Sequence, residues 1–320
     1  MNFSNKKIWV LTDGSDGMIS QVMGLAQQFS DNIIHIKTNI FFPWSKLQPG
    51  YLPIFSWIFK NKIDVLNLPD LIISCGRKSV YLSIFLKKNY KKIINIHIQD
   101  PKINYTNFNF IIAPDHDKVK GKNIIHSIGA LHKFNQNTFN EVNDDDFNIP
   151  KKNLISVIIG GNNNHYEFTS KEIIDLANKI KNLKISYPNF NFLILYSRRT
   201  TEEMKSEIKK ILGDHTYIWN EKQKNPYIFA LKYSEFFIVT SDSTSMISEC
   251  AYTKKPIYIF HLPFKRNSKR IKKFHQQFKN LNITKILENK NELIPWKYNS
   301  INESKRIASI LKQRIIKENL

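Results

Sequence analysis

The sequence predicts an α/β fold with two doubly wound, Rossmann-like domains. Strand and helix patterns alternate through the first half of the chain and again through the second half, as in proteins with parallel sheets. The length of 320 residues exceeds what one ordinary core supports, which favours two domains. Glycine at a strand end permits a positive φ or the close approach of a ligand. Of the 10 glycines, five directly follow apolar strand-like runs: Gly14, Gly17, Gly76, Gly160 and Gly161.

The first half contains two segments with helical periodicity, residues 18–29 and 78–88. In the first of them, Met18, Val22 and Leu25 fall on one face. Short apolar runs predict the strands of this half, at residues 7–12, 33–36, 71–75, 92–98, 110–113 and 124–126.

The second half repeats the pattern. Strands are predicted at residues 154–159, 190–196, 216–219, 236–240 and 256–260. Helices are predicted at residues 169–186, 201–212 and 226–233, after the turn at 241–244 as far as residue 252, and at 302–317.

The polar stretch 135–152, with three consecutive aspartates and a proline, is the predicted linker. We therefore predict an N-terminal domain at 1–140 and a C-terminal domain at 150–300. The last segment, 301–320, is expected to pack back across the domains.

Composition restricts the class of partner. The net charge of +21 is compatible with nucleic acid, but the lysines are dispersed and no nucleic-acid-binding motif accompanies them, so we expect no nucleic-acid partner. An anionic membrane surface or a phosphorylated ligand is preferred. The two cysteines, Cys75 and Cys250, lie in or beside apolar runs, as in a reduced cytoplasmic protein. No apolar run approaches 18 residues, so no segment is expected to span a membrane.

The loop after the first strand, residues 13–17, places two carboxylates among glycines. It has neither the GxGxxG pattern nor a Walker lysine, and its carboxylates disfavour direct phosphate contact. We interpret Asp13 as a general base or an acceptor for sugar hydroxyl groups, with Asp16 and His116 as alternative bases. An N-cap and turn would explain the loop equally well. The other residues expected near this site share positions at strand ends: Gly14, Gly17, Gly76 and Arg77.

Two loops of the second half have the chemistry of a diphosphate site. Gly160 and Gly161 open an amide-rich loop that could wrap a diphosphate, with His165 as a donor, although a flexible loop is the alternative. Ser197, Arg198, Arg199 and Thr200 follow the next strand, and phosphate recognition favours arginine with hydroxyl groups. Arginine is scarce here, at 7 residues against 41 lysines, which favours a function over a solvated surface pair.

The densest polar cluster is residues 240–246, followed by Glu249. Ser241, Ser243 and Ser245 lie in the turn and first helical turn, a geometry that binds anions. Glu249 is four residues after Ser245, on the same helix face, and could accept two ribose hydroxyl groups. The alternative is a helix start with more capping residues than one cap requires.

Histidine spacing indicates no metal site, and none is predicted. Residues 40–59 are rich in aromatic and aliphatic side chains, interrupted by three prolines and flanked by Lys46, Lys60 and Lys62. Such a segment can lie in a bilayer interface, here an anionic surface that the dispersed lysines also favour. A flap packed on its own domain is the alternative.

The order of short motifs along the chain is that of a known family. The motifs are WVLTDGSDG at 9–17, PDLIISCGRKS at 69–79, QDP at 99–101, APDHD at 113–117, GALHK at 129–133, IGG…H at 159–165, SRRT at 197–200, NPY at 225–227, TSDSTSMISE at 240–249 and KPIYIF at 255–260. With them, the chain resembles the bacterial relatives of the plant mitochondrial fission (elongated-mitochondria) family.

The resemblance implies a two-domain glycosyltransferase-B architecture, with a cleft between the domains and nucleotide-sugar contacts in the second. Glu249 is similar in position to the ribose-binding glutamate of that superfamily. Some members are labelled nucleoside-diphosphate-sugar epimerases, and the plant relatives are described as recruiting the fission dynamin. The loop at 13–17 departs from the glycine-rich loop of peptidoglycan glycosyltransferases, which leaves the base and the acceptor open. The residues that the resemblance places at the donor site are Gly160, Gly161, Ser197, Arg198, Ser241, Ser243, Ser245 and Glu249.

Three functions follow as expectations. The first is a metal-independent glycosyltransferase that uses a nucleoside-diphosphate sugar and no cofactor, in envelope glycan or glycolipid synthesis on the inner face of the membrane. The second is a nucleoside-diphosphate-sugar epimerase on the same fold. The third is a non-catalytic, membrane-associated scaffold. Fold alone does not choose among them.

Overall fold

The computed structural model describes residues 2–60, 63–64, 66–213, 216–288 and 292–320. Contacts divide the chain into two compact units. Unit 1 is Met1–Phe134 with Asn302–Leu320, and unit 2 is Asn135–Ile301. The sequence-based domain limits at 140, 150 and 300 remain predictions.

Unit 1 is built on a six-stranded parallel sheet, as the alternation of strands and helices predicts. Its central strands are buried on both faces, which requires the continuous apolar runs seen in the sequence. The order across the sheet is β2-β1-β3-β4-β5-β6. The strands are β1 (Ile8–Thr12), β2 (Ile33–Lys37), β3 (Leu71–Cys75), β4 (Ile94–Ile98), β5 (Phe110–Pro114) and β6 (Ile124–Ser127).

The helices of unit 1 cover both faces of this sheet. They are α1 (Asp16–Ala26), α2 (Arg77–Asn89) and the last helix of the chain, α9 (Glu303–Lys317). Alternate residues of β1 belong to different core clusters, because successive strand side chains point to opposite faces. Val10 lies in the cluster that contains Ile307 of α9, whereas Trp9 and Leu11 lie in the cluster that contains Trp44.

Helix α9 is tied to unit 1 by polar contacts as well as by its apolar face. The Glu303 carboxylate accepts the Ile128 N–H at 2.7 Å and pairs with Arg306 at 2.6 Å. The Ser304 hydroxyl donates to the His132 carbonyl oxygen at 2.8 Å. The end of the chain therefore completes the core of the unit in which the chain begins.

Unit 2 contains a second six-stranded parallel sheet, with the order β12-β11-β10-β7-β8-β9. Its strands are β7 (Leu154–Ile159), β8 (Asn191–Tyr196), β9 (Tyr217–Ile218), β10 (Phe236–Thr240), β11 (Ile257–Phe260) and β12 (Thr284–Ile286). Its helices are α3 (Gln136–Asn140), α4 (Ser170–Ser186), α5 (Glu202–Leu212), α6 (Tyr227–Tyr233), α7 (Thr244–Tyr252) and α8 (Lys269–Asn280).

Three elements of unit 2 were not predicted: α3, which lies within the predicted linker 135–152, α8 and β12. Helix α8 has a readable signal, since Ser268 caps it and Ile271, Phe274 and Phe278 are buried on one face. Strand β12 has only three residues, two of them exposed, so its sequence shows no apolar run. It forms because β11 provides a partner edge.

Each sheet has one point at which its strand order reverses. In unit 1 the reversal lies between β1 and β3, and in unit 2 it lies between β7 and β10. In open parallel sheets, ligands bind outside the carboxyl ends of the strands at such a switch point. We use "carboxyl edge" for the edge at which these strand ends lie.

Candidate functional site

Asp242 is the centre of the switch point of unit 2. Its side chain is fully buried and follows β10, beside the glycines that follow β7. The Gly161 N–H donates to Asp242 Oδ2 at 3.2 Å, and the Thr240 hydroxyl donates to Oδ1 at 2.6 Å. The Gly160 N–H donates in turn to Thr240 Oγ1 at 2.8 Å. The carboxylate therefore joins the ends of two adjacent strands.

Arg199 forms the ion pair that compensates this buried charge. Its Nη2 donates to Asp242 Oδ2 at 2.6 Å, and the Arg199 side chain remains 38% exposed. Burial raises the pKa of the Asp242 carboxyl, while Arg199 and the hydrogen bonds oppose the shift. The sequence predicted Gly161 and Arg199 as direct diphosphate contacts. In the structure both are bonded to Asp242, a residue that sequence reasoning did not select.

Gly160 and Gly161 are required by close packing. A Cβ on Gly160 would lie 2.1 Å from the Asp242 carboxylate oxygens, and a Cβ on Gly161 would lie 2.0 Å from the Arg199 carbonyl oxygen. The space in front of Gly160 is thus filled by a side chain of the protein itself.

The loop after β8 is locked to the loop after β7. The Thr200 hydroxyl donates to the Gly160 carbonyl oxygen at 2.6 Å, and its oxygen accepts the Ser197 N–H at 3.0 Å. Ser197 is half-buried, whereas Arg198 is exposed. The predicted residues of this loop therefore lie at the same carboxyl edge as Gly160 and Gly161.

The start of α7 presents hydroxyl groups and N–H groups at the same place. Ser243 is the N-cap, and its Oγ accepts the Met246 N–H at 3.4 Å. The N–H groups of Thr244 and Ser245 precede this first bonded group in the helix, where the helix dipole favours an anion. Ser241 has a structural role instead, because its Oγ accepts the Leu262 N–H at 3.0 Å.

Glu249 lies one turn further into α7 and is buried. The Tyr227 hydroxyl donates to Glu249 Oε2 at 2.6 Å. Burial, and then the charge of Glu249, raise the pKa of Tyr227 well above its usual value. This hydrogen bond orients the carboxylate.

His165 lies near two arginines that sequence reasoning missed. The His165 N–H donates to Asn163 Oδ1 at 2.7 Å, and the His165 carbonyl oxygen accepts the Arg266 N–H at 3.2 Å. Burial lowers the pKa of His165, and the charges of Arg270 and Arg266 lower it further. Both belong to the same small set of 7 arginines, which is the signal that could have identified them.

The switch point of unit 1 carries Asp13 and two glycines with a positive φ. Gly14 has φ +93° and Gly76 has φ +91°, values that side chains rarely permit. Asp13 Oδ1 accepts the Ser15 N–H at 3.0 Å, which is the turn that the sequence left open as an alternative. Asp16 is exposed at the first position of α1. Gly17 lies in the first turn of that helix, where its carbonyl oxygen accepts the Gln21 side chain.

His116 lies at the same carboxyl edge as Asp13 but is not close to it. It follows β5 and is buried, 3.8 Å from the Asp117 carboxylate. Strands β3 and β4 separate β1 from β5, so these two strands are about 14 Å apart at a strand spacing of about 4.8 Å. Asp13 and His116 therefore follow strands that are not neighbours.

Arg77 supports the aromatic segment 40–59. Its guanidinium donates to the carbonyl oxygens of Ser45 and Leu47. The segment has a buried side, which includes Trp44 and Ile58 in a core cluster of unit 1. Its exposed residues include five aromatic ones: Phe41, Phe42, Tyr51, Phe55 and Trp57. Lys60 lies over the Phe41 ring at 4.9 Å, whereas Lys62 lies outside the described residues.

The described residues contain neither a cluster of metal-binding side chains nor a membrane-spanning helix. Within the ranges that the structure describes, no three His, Cys, Asp or Glu side chains are grouped so that they could bind a metal ion. Across those same ranges, no helix combines the length and hydropathy that crossing a bilayer requires.

Several solved structures align with both halves of this chain. The UDP complex of S. aureus MnaA aligns with a TM-score of 0.51 at 13% identity, over 97% of this chain and 88% of that one. A Listeria monocytogenes protein described as a UDP-N-acetylglucosamine 2-epimerase aligns with a TM-score of 0.53 at 11% identity, over 98% of each chain. The glycotransferase of kitacinnamycin aligns at 0.52 and 10%, over 97% and 90%. These likenesses show a glycosyltransferase-B fold of two Rossmann-like domains.

Sequence relatives identify the family. An uncharacterized protein of Rickettsia prowazekii, RP120, is 31% identical over 95% of this chain and 97% of its own length. The mitochondrial fission protein ELM1 of Arabidopsis thaliana is 22% identical over 77% of this chain and 64% of its own length. The mitochondrial fission ELM1 family matches residues 16–315, and the chain therefore belongs to that family.

Proposed function

We propose that the chain is a glycosyltransferase-B-type transferase that binds a nucleoside-diphosphate sugar at the switch point of unit 2. The observation that carries the proposal is the convergence of three loops at this point. The loops after β7, β8 and β10 are hydrogen-bonded to one another through Asp242 and Thr200. Hydroxyl groups, helix N–H groups and cationic side chains together suit a diphosphate.

The structure suggests how the donor would be arranged. The diphosphate would lie at the start of α7, on the N–H groups of Thr244 and Ser245 and the Ser243 hydroxyl. The ribose hydroxyl groups would donate to Glu249, which is already oriented by Tyr227. Arg198 and His165 would approach the phosphates from the neighbouring loops. Asp242 would position Arg199 and the glycines without contacting the ligand.

The chemistry follows from this arrangement. In glycosyl transfer, negative charge develops on the leaving diphosphate as the sugar–oxygen bond breaks. Preorganised N–H groups and a guanidinium stabilise that charge without a metal ion. Asp13, or Asp16 or His116, would remove the proton from the acceptor hydroxyl group. The names of the structural neighbours support a nucleotide sugar as the substrate, since one of them is a complex with UDP.

A second candidate is epimerisation of the same nucleotide sugar. It is favoured by the structural neighbour with a TM-score of 0.53, the Listeria monocytogenes protein described as a UDP-N-acetylglucosamine 2-epimerase. Incubation of the sugar nucleotide without an acceptor separates the two functions. An epimerase forms a new sugar nucleotide, whereas a transferase leaves its donor unchanged.

The exposed aromatic side of segment 40–59 supports a peripheral position on an anionic membrane. Phe42 is 77% exposed and Trp57 is 58% exposed. Aromatic rings beside lysines favour the interface of an anionic bilayer. In this proposal the segment holds the enzyme at the inner face of the membrane, where a glycolipid acceptor lies. A non-catalytic scaffold would use the same surface but would not need the donor site.

The decisive test is nucleotide binding by the full chain. A thermal-shift screen of nucleoside diphosphates and their sugars should raise the melting temperature with one of them, because binding stabilises the folded state. Glu249→Ala should then abolish calorimetric binding of a uridine-type diphosphate, with a loss of about 100-fold or more. The conservative control is Tyr227→Phe, which keeps the carboxylate and should weaken binding by less than tenfold.

Two results would contradict the donor site. One is wild-type affinity for the diphosphate in Glu249→Ala. The other is a complete screen without any shift, which would instead favour the scaffold.

A further inference from the structure

Unit 2 contains a second pocket that the proposed donor site does not use. It has a volume of about 270 Å³ and lies between α8 and the edge of the sheet at β11 and β12. Five of its lining side chains are basic or imidazole groups: His261, Lys272, His275, Lys279 and Lys285. Ile259 and Ile286 supply apolar surface between them. We propose that this pocket binds a small phosphorylated molecule or pyrophosphate.

The lining of the pocket is cationic because it combines lysines with histidines and contains no carboxylate. Residues 250–287 contain ten lysines and arginines and neither aspartate nor glutamate. None of the residues that line the pocket is acidic. Like charges so close together repel one another, and a bound anion relieves that repulsion. The proposal therefore rests on lysine charges that no carboxylate of the lining neutralises.

Two of the lysines are placed by aromatic rings rather than by carboxylates. Lys272 Nζ lies 5.4 Å from the centre of the Phe264 ring, and Lys285 Nζ lies 4.5 Å from that of the Trp296 ring. Cation–π contacts orient an ammonium group without neutralising it. These lysines keep their full charge for a ligand.

The histidines add donors and connect the pocket to the turn after β10. The His261 and His275 rings are 5.2 Å apart. His275 Nε2 donates to the Ser241 carbonyl oxygen at 2.9 Å, which fixes the position of that ring. Desolvation, and then the charge of Lys279, lower the pKa of His261. An anion beside His261 would favour its protonated form and gain a further donor.

The volume selects the size of the ligand. A water molecule occupies about 30 Å³ of the liquid, so the pocket accommodates the volume of about nine waters. That suits a pyrophosphate or a small phosphorylated metabolite. None of its lining residues is among those proposed to hold the donor, which separates this pocket from the proposed donor site.

The test is calorimetric titration of the full chain with pyrophosphate. The double variant Lys272→Ala/Lys279→Ala should weaken pyrophosphate binding by about tenfold for each lysine removed, the effect of a lost charge-assisted contact. The matched control is Lys209→Ala/Lys210→Ala on α5, near the opposite edge of the sheet, which removes the same net charge and should leave the affinity unchanged. All of these lysines are exposed, so their removal should leave the fold intact.

Two further measurements distinguish this pocket from other anion sites. Ser243→Ala/Ser245→Ala, at the start of α7, should retain pyrophosphate binding. Sedimentation with phosphatidylglycerol vesicles should be the same for wild type and the Lys272→Ala/Lys279→Ala variant if the ligand is a free phosphate. The proposal is overturned if wild type does not bind millimolar pyrophosphate, or if binding survives in the lysine variant. It is also overturned if binding is lost in the serine variant, or if the lysine variant loses only vesicle binding.

Discussion

The two sheets are alike in architecture, and their carboxyl edges differ in charge. Both are parallel, six-stranded and reversed at one switch point. In unit 1 the residues that follow the strands are rich in carboxylates: Asp13, Asp16, Asp100, Asp115 and Asp117. In unit 2 the loops after β7, β8 and β10 carry glycines, Arg198, Arg199 and hydroxyl groups, and the Asp242 carboxylate is buried and paired.

This difference shows that the topology provides the place and the side chains decide the ligand. A parallel sheet directs helix N-termini to its carboxyl edge in both units. An edge with N–H groups, hydroxyl groups and cations suits an anion such as a diphosphate. An edge with carboxylates repels a phosphate and suits a hydroxyl group that is to be hydrogen-bonded or deprotonated. In the proposed function, the donor therefore binds to unit 2 and the acceptor to unit 1.

The largest effect is expected from adding one methyl group at each switch point. Gly161→Ala should destabilise the protein by about 3 kcal/mol, because the new Cβ would lie 2.0 Å from a backbone oxygen that cannot move alone. Gly14→Ala should cost about 1–2 kcal/mol, mainly from its positive φ, since its contact is the flexible end of Lys37. Urea denaturation of both variants measures the difference. Equal losses would contradict the tighter packing of the unit 2 site.

A fall in pH should lower the free energy of unfolding through a buried histidine of unit 1. Burial lowers the pKa of His132 from 6.5 to about 4. The folded state thus favours the neutral ring, so the stabilisation is complete above pH 6.5 and is lost as the pH falls toward 4. For these two values the loss at pH 5 is about 2 kcal/mol. His132→Gln should reduce the difference in unfolding free energy between pH 7 and pH 5 by about that amount.

A urea titration at the two pH values tests this histidine effect. The control is His126→Gln, since His126 is exposed in the neighbouring strand β6. An unchanged pH dependence in His132→Gln would contradict the assignment to that ring.

Removal of the Asp242 charge should sharpen the contrast between the two edges. Asp242→Asn keeps the shape, and its amide can still accept from Gly161 and donate to Thr240. The variant leaves the Arg199 charge uncompensated, so a nucleoside diphosphate should bind about tenfold more tightly. Calorimetry measures the change.

The opposite member of the Asp242 ion pair supplies the control. Arg199→Ala leaves a buried carboxylate without its cation and should lower both affinity and stability. The stability loss should be about 2 kcal/mol, because the Arg199 side chain is 38% exposed. Breaking a fully buried pair would cost roughly 3–5 kcal/mol. Changes of the same sign in both variants' affinity would show that Asp242 does not limit anion binding.

The smallest effect is expected at the exposed aromatic side of segment 40–59. Trp57→Ser with Phe42→Ser should weaken sedimentation with phosphatidylglycerol vesicles about fivefold, because these rings no longer enter the interface. Ile174→Ser with Ile185→Ser, two exposed apolar residues of unit 2, is the matched control and should not change sedimentation. Equal effects of the two pairs would argue against a membrane contact through this segment.

The predicted elements were found where their periodicity was strong. The continuous apolar runs of β1, β3 and β7 required burial on both faces, and a parallel sheet provides it. Helix α8 was missed despite a capped amphipathic pattern. Strand β12 was missed because its three residues, two of them exposed, form no apolar run. The site residues of unit 2 were placed at one switch point by their positions after strands, and their part in binding remains a prediction.

Asp242 and Arg77 show what could not be read from the chain. Asp242 stands among serines and threonines, so its sequence context suggests a helix cap rather than a buried ion pair. Arg199 is 43 residues away, and only the pairing of β7 with both β8 and β10 brings the two together. Arg77 lies just after a strand end, as Arg198 and Arg199 do, yet its guanidinium is bonded to carbonyl oxygens some 30 residues earlier.

The sequence by itself determined the architecture, the family and the positions after strands at which polar residues collect. These properties depend on local periodicity and on motif order, which are contained in neighbouring residues. The tertiary structure alone decided which of the polar residues are bonded to one another and which remain available to a ligand. That outcome depends on strand order and close packing, since a carboxylate buried between two strand ends uses donors that the linear chain leaves unassigned.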